Sequence, residues 1–423
     1  MMDKKLIIVI AIIAIVAIVA AAVVLSGATD KKVVPDEGKE TNLTVLGNAD
    51  LDDDIDDDDV KAIQYVIDNK GTVAQYPYAD ANNDGKIDSS DVSFVQDMVK
   101  KKSQRIYYFN VDGEIASVKY PLTGTIIATY NKTVEALRTL GCSSQIVATD
   151  DFTFTWPSYF PEFTKLKTIG SRFTPNVEDV LKIDADAYLC GTKKWFAATL
   201  ETDLGNSKTD VIRLPTWEEG QVLSGMITLG YILQKEDQAS KYMKWANGIL
   251  DMVSDKTAGK KQSEKPAVLV LDANNVLSTK KAGSGQYENS IKAGGYNIVA
   301  DIGSDSEYYK NLTMEWILTK NPDYIIFSQG GTCYDWTDAQ FKEKLDSLKT
   351  EFAKTKAAIN GNFHLLNLEV FIGPSYPVGV LYMAKWFYPE EFKDVDVSKY
   401  LQDYITDFCG LNWDVNKHGG FAL

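Results

Sequence analysis

Histidine, arginine and cysteine are all scarce in this chain. Of 423 residues, only His364 and His418 are histidine, and only Arg105, Arg138, Arg172 and Arg213 are arginine. Two distant histidines leave acid–base or metal chemistry to carboxylates alone, and direct capture of haem or zinc by histidine finds little support. There is no G-x-S-x-G elbow, no H-E-x-x-H pair and no G-x-x-x-x-G-K-[ST] loop. An enzyme is therefore not expected. The four cysteines, Cys142, Cys190, Cys333 and Cys409, are widely spaced and form no metal-type cluster. Disulfides outside the cell and burial as small apolar side chains both remain open for them. Positive charge is also in deficit, and a formal net charge of −15 argues against nucleic acid as a partner, because phosphates would be repelled.

The acidic excess is uneven. Residues 30–102 hold 18 Asp and Glu against 9 Lys, whereas residues 103–423 hold 40 acids against 33 bases. Upstream, an unbroken apolar run from Leu6 to Leu25 follows Lys4 and Lys5. Twenty such residues can cross a hydrocarbon core as a helix, with the rest of the chain outside the cell. The run is longer than a usual signal core, so an uncleaved anchor is expected over a signal cleaved near Ser26-Gly27-Ala28. Three Asn-x-Ser/Thr triplets, at Asn42, Asn131 and Asn311, fit an exported chain.

Two oxygen-rich loops follow, 32 residues apart. Asn48, Asp50, Asp52, Asp54, Asp56 and Asp59 match Asp80, Asn82, Asp84, Lys86, Asp88 and Asp91, and Ile55 matches Ile87. In a calcium loop, positions 1, 3, 5, 9 and 12 supply side-chain oxygens and position 7 a backbone carbonyl, here that of Asp54 or Lys86. Each loop enters a helix with apolar spacing, Val60, Ile63 and Ile67 in the first and Val92, Val95 and Val99 in the second. Two Ca2+ sites are expected, the second more secure than the first, because Asp53 replaces the turn glycine and Asn48 opens the first loop. The compact pair, with aspartate at position 12, resembles a dockerin over about residues 44–103. That resemblance implies attachment to a cohesin domain, with Asp57, Asp58, Ser89 and Ser90 at the recognition positions.

Beyond Thr123, short β-rich runs (124–130, 145–150, 186–190, 267–271, 323–327 and 364–368) alternate with amphipathic stretches, which implies parallel sheets covered by helices. There is an internal echo: NVEDVLKIDADAYL (176–189) aligns without gaps on TMEWILTKNPDYII (313–326). Both open on a capping residue, place glutamate third and pair two aliphatics before a strand, as two lobes of like construction would. Between them, the segment from about Glu236 to Lys256 is a helix long enough to span both lobes.

In order and spacing, TGTIIATYNKTVEALRTLG, QIVATDD, LKTIGSRFTPNVEDVLKIDADAYL, LGYILQKEDQASKY, IKAGGYNIVAD, TMEWILTKNPDYIIF and GVLYMAKWFYPEEF resemble the substrate-binding proteins of ABC importers for iron chelates and cobalamin. The resemblance covers roughly residues 120–410. It implies an α/β fold, two Rossmann-like lobes with mostly parallel sheets joined by a long α-helix. To this the chain adds the small all-α calcium-loop module and the N-terminal transmembrane helix. The expected organisation is an anchor or signal segment (1–28), a linker (29–43), the calcium module (44–103), a second linker (104–122), an N-lobe (123–235), an inter-lobe helix (236–258) and a C-lobe (259–423).

Ligand-facing loops of open α/β sheets leave the carboxyl ends of strands. Those loops carry Tyr130, Phe152, Phe154, Trp156, Phe173, Trp195 and Trp217 in the first lobe, and Tyr287, Tyr334, Trp336 and Tyr376 in the second. Flat rings with polar tips suit a large planar or catechol-bearing ligand. Arg172 could pair with oxygens of an iron chelate, and an ordinary surface ion pair is the competing role. The resemblance implies that Glu178 and Glu315, one per lobe, dock into arginine pockets of a membrane permease; a first-turn glutamate is also favoured by the helix dipole alone. A ferric siderophore is the first expectation for the ligand, a corrinoid the second and haem the third. A cohesin-linked surface protein without transport is the alternative.

Overall fold

The computed structural model describes residues 41–218, 220–280, 284–302, 308–309, 312–331 and 336–416. The expected anchor, most of the first linker, Asn311, Cys333, Tyr334 and His418 lie outside the described residues. The chain divides into two compact units, one of residues up to Leu122 with Tyr231–Leu233, the other of Thr123–Gly230 with Gln234–Leu423.

The first unit pairs helices α1 (Asp57–Asp68) and α2 (Ser89–Val99) through Ala62, Ile63, Val66, Val95 and Met98, all buried. Stretch 104–122, expected as a linker, holds an antiparallel hairpin instead. Strand β1 (Gln104–Phe109) pairs with β2 (Ile115–Tyr120) in the register Gln104↔Tyr120 to Phe109↔Ile115. Its turn is fixed by Asn110, whose Oδ1 accepts from the backbone N–H of Asp112 and Glu114. The hairpin belongs to this unit because Leu46 N–H donates to Tyr107 O and Phe109 N–H to Thr44 O, closing a bridge between Val45 and Tyr108.

The second unit contains both lobes. In the N-lobe, β3 (Ile126–Ala128), α3 (Asn131–Thr139), β4 (Ile146–Thr149), β5 (Lys167–Thr168), α4 (Val177–Ile183), β6 (Ala187–Cys190), α5 (Leu200–Leu204) and β7 (Asp210–Arg213) succeed one another. The five strands run parallel in the order β5-β4-β3-β6-β7. The short apolar strands are buried on both faces, as a helix-covered parallel sheet requires. Helix α6 (Val222–Ile232) leads to α7 (Glu236–Thr257), 22 residues and about 33 Å long.

In the C-lobe, β8 (Ala267–Asp272), β9 (Thr279–Lys280), α8 (Gly285–Lys292), β10 (Tyr296–Asn297), β11 (Tyr308–Tyr309), α9 (Met314–Lys320), β12 (Tyr324–Gln329), α10 (Asp338–Glu351), α11 (Lys356–Asn360), β13 (Phe363–Asn367), α12 (Tyr376–Phe387) and α13 (Val397–Asp407) follow. Its main sheet is again parallel, in the order β10-β8-β12-β13. Helix α7 touches both lobes: Gln238 Nε2 donates to Thr139 O of the first, while Tyr242 Oη donates to Pro374 O and Lys256 Nζ to Glu391 O of the second. Among the described residues no helix is long and apolar enough to cross a membrane.

Candidate functional site

Both strand orders reverse direction once, between β3 and β6 in the N-lobe and between β8 and β12 in the C-lobe. At such a switch point the loops diverge and leave a crevice beyond the carboxyl ends of the strands. A cavity of about 480 Å3 lies there. Trp195 reaches it from the loop after β6, while Val270, Leu271, Asp272, Asn275 and Ser328 come from the ends of β8 and β12, joined by Ser278, Thr279, Lys280 and Gln286. The two lobes thus share one cavity, with an indole on one wall and mixed polar groups on the other.

The loop carrying Trp195 is propped from beneath by Arg213, a fully buried residue at the end of β7. Its Nη1 donates to Gly191 O and Phe196 O at 2.9 Å each and its Nη2 to Ala197 O at 2.7 Å, while its Nε lies 2.6 Å from Glu201 Oε1. The planar fork satisfies three loop carbonyls at once, which a lysine could not do in this geometry. Burial alone would raise the Glu201 carboxyl; the hydrogen bond and charge of Arg213 outweigh it and hold it below its ordinary value.

Tyr130, Phe152, Arg172, Phe173 and Trp217 come together beside this loop. Tyr130 leaves β3 with φ of 76° and donates its backbone N–H to Asp150 Oδ2. Its ring lies 6.3 Å from Phe152, 5.4 Å from Phe196 and 5.5 Å from Trp217. The Arg172 guanidinium sits over Phe152 at 4.0 Å, Phe173 at 4.7 Å and Tyr130 at 5.1 Å, with Asp150 Oδ1 3.9 Å away. Burial raises the Asp150 carboxyl, and the Tyr130 N–H and Arg172 oppose it. The Arg172 cation is thus held against three rings with one carboxylate in reach.

Other expected ligand residues are placed elsewhere. Trp156 is fully buried, 5.1 Å from Phe152 and 6.5 Å from Phe160, and so packs the lobe interior rather than offering a ring to a ligand. Tyr376 is buried at the start of α12. Tyr287 and Trp336 pack on the C-lobe core, Trp336 against Phe341, and Phe154 is half-buried in a short helical turn. Phe196 and Asp150 were not foreseen, although Asp150 ends a readable strand in QIVATD, where a carboxylate has reason to serve a loop. His364 stacks on Trp386 at 4.1 Å, and among the described residues no histidine lines the cavity.

A buried charge cluster ties the two lobes. Lys132 Nζ lies 2.7 Å from Glu135 Oε2 and 2.9 Å from Glu369 Oε2, and donates to Glu369 O at 2.9 Å. Burial would push the ammonium down; Glu135 and Glu369 outweigh it and hold it above its ordinary value. Burial raises the Glu369 carboxyl, with Lys132 opposing. Asn131 Nδ2 donates to Glu369 Oε2 at 3.0 Å from a position 1% exposed, so this glycosylation triplet is inaccessible in the fold. Tyr404 Oη and Tyr159 Oη both donate to Glu135 Oε1.

In the first unit the two acidic loops share a hydrogen-bond scheme. Asp52 N–H donates to Asp50 Oδ1 and Asp84 N–H to Asn82 Oδ1; Asp54 N–H donates to Asp52 Oδ1 and Lys86 N–H to Asp84 Oδ1. Asp59 and Asp91 each accept from the helix N-caps, Asp56 and Asp88, completing capping boxes. The loops differ at the first position. Asp80 accepts from Asp84 N–H and Gly85 N–H, whereas Asn48 Nδ2 donates to Asp52 O, Leu43 O and Thr41 Oγ1. Burial lifts the Asp59 carboxyl to about 8 and raises Asp91, with backbone N–H donors opposing in both. Ile55 is buried and Ile87 half-buried; Asp57, Ser89 and Ser90 are exposed and Asp58 half-buried. Among the described residues no three Asp, Glu, His or Cys side chains converge as a finished metal cluster.

Glu178 and Glu315 stand exposed in the first turns of α4 and α9, one on each lobe. Two parallel-sheet lobes, one bridging helix and a shared cavity define a two-lobe solute-binding scaffold. Residues 126–368 match the family model for periplasmic binding proteins, and the chain belongs to that family. It is similar to the molybdate-binding protein MolA of Haemophilus influenzae, 25% identical over 195 residues that make up 44% of this chain. The chain spans about half the length of that curated relative, 50%. Among solved structures, the TroA-like periplasmic binding protein FepB from Veillonella parvula superimposes with a TM-score of 0.63 at 19% identity, covering 75% of this chain and 99% of that one. MolA bound to molybdate gives a TM-score of 0.59 at 18% identity, over 73% of this chain and 98% of its own. These likenesses establish the fold. The family shown is that of periplasmic binding proteins.

Proposed function

We propose that this chain captures a ferric siderophore, or a corrinoid as the next choice, in the inter-lobe cavity and delivers it to an ABC-transporter permease. The size and lining of the cavity carry this reading. About 480 Å3 lies within the usual range for sites of organic ligands and is far more than a bare tetrahedral oxyanion needs. An indole wall facing Asn, Gln, Ser, Thr and Lys side chains suits the flat rings and peripheral oxygens of an iron chelate. The ring-stacked Arg172 adds a fixed positive charge nearby. Haem is less well served, because among the described residues no histidine lines the cavity.

Around this function, Glu178 and Glu315 are read as permease-docking residues, and the N-terminal apolar run as the anchor that keeps the protein on the outer face of the membrane. The paired loops are read as Ca2+ sites of a dockerin-like attachment module for a cohesin partner. Their all-oxygen donor set suits a hard cation. Tryptophan fluorescence of the purified full chain, titrated with ferric catecholates, cyanocobalamin, haem and molybdate, tests the ligand. Saturable quenching by an iron chelate or corrinoid, weakened at least tenfold by Trp195→Ala, is expected. No quenching by any of them would favour the surface protein without transport, and binding of molybdate alone would overturn the chelate.

A further inference from the structure

The two docking helices are alike beyond their glutamates. Helices α4 and α9 are seven residues each, begin with a side chain that caps the first turn (Asn176, Thr313) and end on a non-glycine residue in the left-handed region, Asp184 at φ 51° and Asn321 at φ 46°. Their burial matches position by position. Val180 and Ile317 are completely buried, while the next residue on each, Leu181 and Leu318, is 44% and 37% exposed. Only six large apolar side chains among the described residues are this exposed, and two of them occupy equivalent places in the duplicated helices. A single exposed leucine is ordinary and calls for no account. The same residue left open on both copies is different, because the core below is already filled by Val180 and Ile317.

Residues three apart lie on one face of a helix, so Leu181 neighbours Glu178 and Leu318 neighbours Glu315. We infer that each lobe docks through a two-part contact, a carboxylate and a leucine one turn on, into a membrane permease whose two like subunits each offer a basic side chain beside an apolar recess. This rests on the docking reading given above and extends it. The twin arrangement selects that partner: two equal contacts on one chain fit a two-fold partner. Glu178 pairs in the free protein with the exposed Lys182, at 2.9 Å, an ion pair that a permease arginine can displace at little cost. The two parts divide the labour. The carboxylates, with the chain's net charge of −15, steer encounter and weaken as salt rises; the leucines hold the complex once formed and are insensitive to salt.

The test uses the full chain in its source cells. A photo-cross-linking amino acid is placed at Leu181 or Leu318, and in separate variants at Asp179 or Trp316 beside them. Adducts from both leucine positions at the same segment of one polytopic membrane protein are expected. Binding of the chain to that protein in lipid nanodiscs is then measured at low and high salt. Leu181→Asn and Leu318→Asn, on exposed sites that leave the fold intact, should each weaken binding about fivefold, and together about twenty-five-fold, equally at both salts. Adducts from Asp179 and Trp316 alone, or full binding by the double leucine variant while Glu178→Lys with Glu315→Lys abolishes it, would overturn the leucine contact and leave glutamate docking standing. No adduct from any of the four positions would overturn both.

Discussion

Replacing Lys132 by methionine perturbs the charge cluster that joins the lobes with little change of volume. The substitution leaves Glu135 and Glu369 buried and facing one another, with only Asn131, Tyr159 and Tyr404 to donate to them. Breaking a buried pair by removing one partner costs about 3–5 kcal/mol, a large share of the roughly 5–15 kcal/mol that holds a protein folded. The pH dependence follows from the same contacts. Burial already raises Glu369 above its ordinary 4.5 and Lys132 opposes that rise, so Lys132→Met lifts the carboxyl further. A carboxyl raised in the folded chain holds a proton that the unfolded chain has released, so stability falls as pH climbs from 4.5 through the folded value. The deficit of Lys132→Met is therefore largest near pH 8 and shrinks towards pH 5. Adding Glu369→Gln removes one of the stranded charges and should restore about half of the loss. Urea unfolding followed by tryptophan fluorescence, at pH 5 and pH 8, measures all three. A loss under 1 kcal/mol at pH 8, or an equal loss at both pH values, would refute the reasoning.

Two further outcomes are expected. Calorimetric titration of the full chain with Ca2+ should show binding that Asp80→Ala largely removes, since Asp80 accepts two backbone N–H groups at the head of the better-formed loop; no heat with the unaltered chain would eliminate the calcium reading. Cys142, Cys190 and Cys409 are buried, and burial pushes the thiols of Cys142 and Cys409 up to about 11. A thiol reagent at pH 8 should therefore label at most one of the four cysteines before unfolding, and rapid labelling of two or more would contradict this packing.

How far the fold was legible varies with what each segment had to bury. The strands at 126–128, 146–149, 187–190 and 267–272 stood out because a doubly covered parallel strand is a short continuous apolar run. The edge strands Lys167–Thr168 and Tyr296–Asn297 are two residues long and carry no such run. The hairpin 104–120 passed for a linker because its alternation of polar and apolar residues is weak and its partner, Val45, lies far upstream. Helix α3 is the clearest limit. Val134, Leu137 and Leu140 announce an amphipathic helix, yet Lys132, Glu135 and Arg138 on the other side are buried as well. Nothing in that helix alone indicates that its charges meet Glu369 more than two hundred positions later. The candidate site followed the same rule. Tyr130, Arg172 and Trp195 were readable as loop residues at strand ends, whereas the burial of Trp156 and Tyr376 depends on packing partners that local pattern does not name.

The order in which strands pair has a consequence for how the chain matures. Ile126 sits beside Ala187, and Ala187 beside Asp210, so the first lobe cannot assemble its sheet until more than eighty residues have been delivered. The acidic helix pair and its hairpin, by contrast, draw most of their contacts from near neighbours in the chain, and such local topologies form fastest. During synthesis the acidic helix pair therefore takes shape first, and the two-lobe unit completes its sheets late, its apolar strands open to misassociation until their partners emerge.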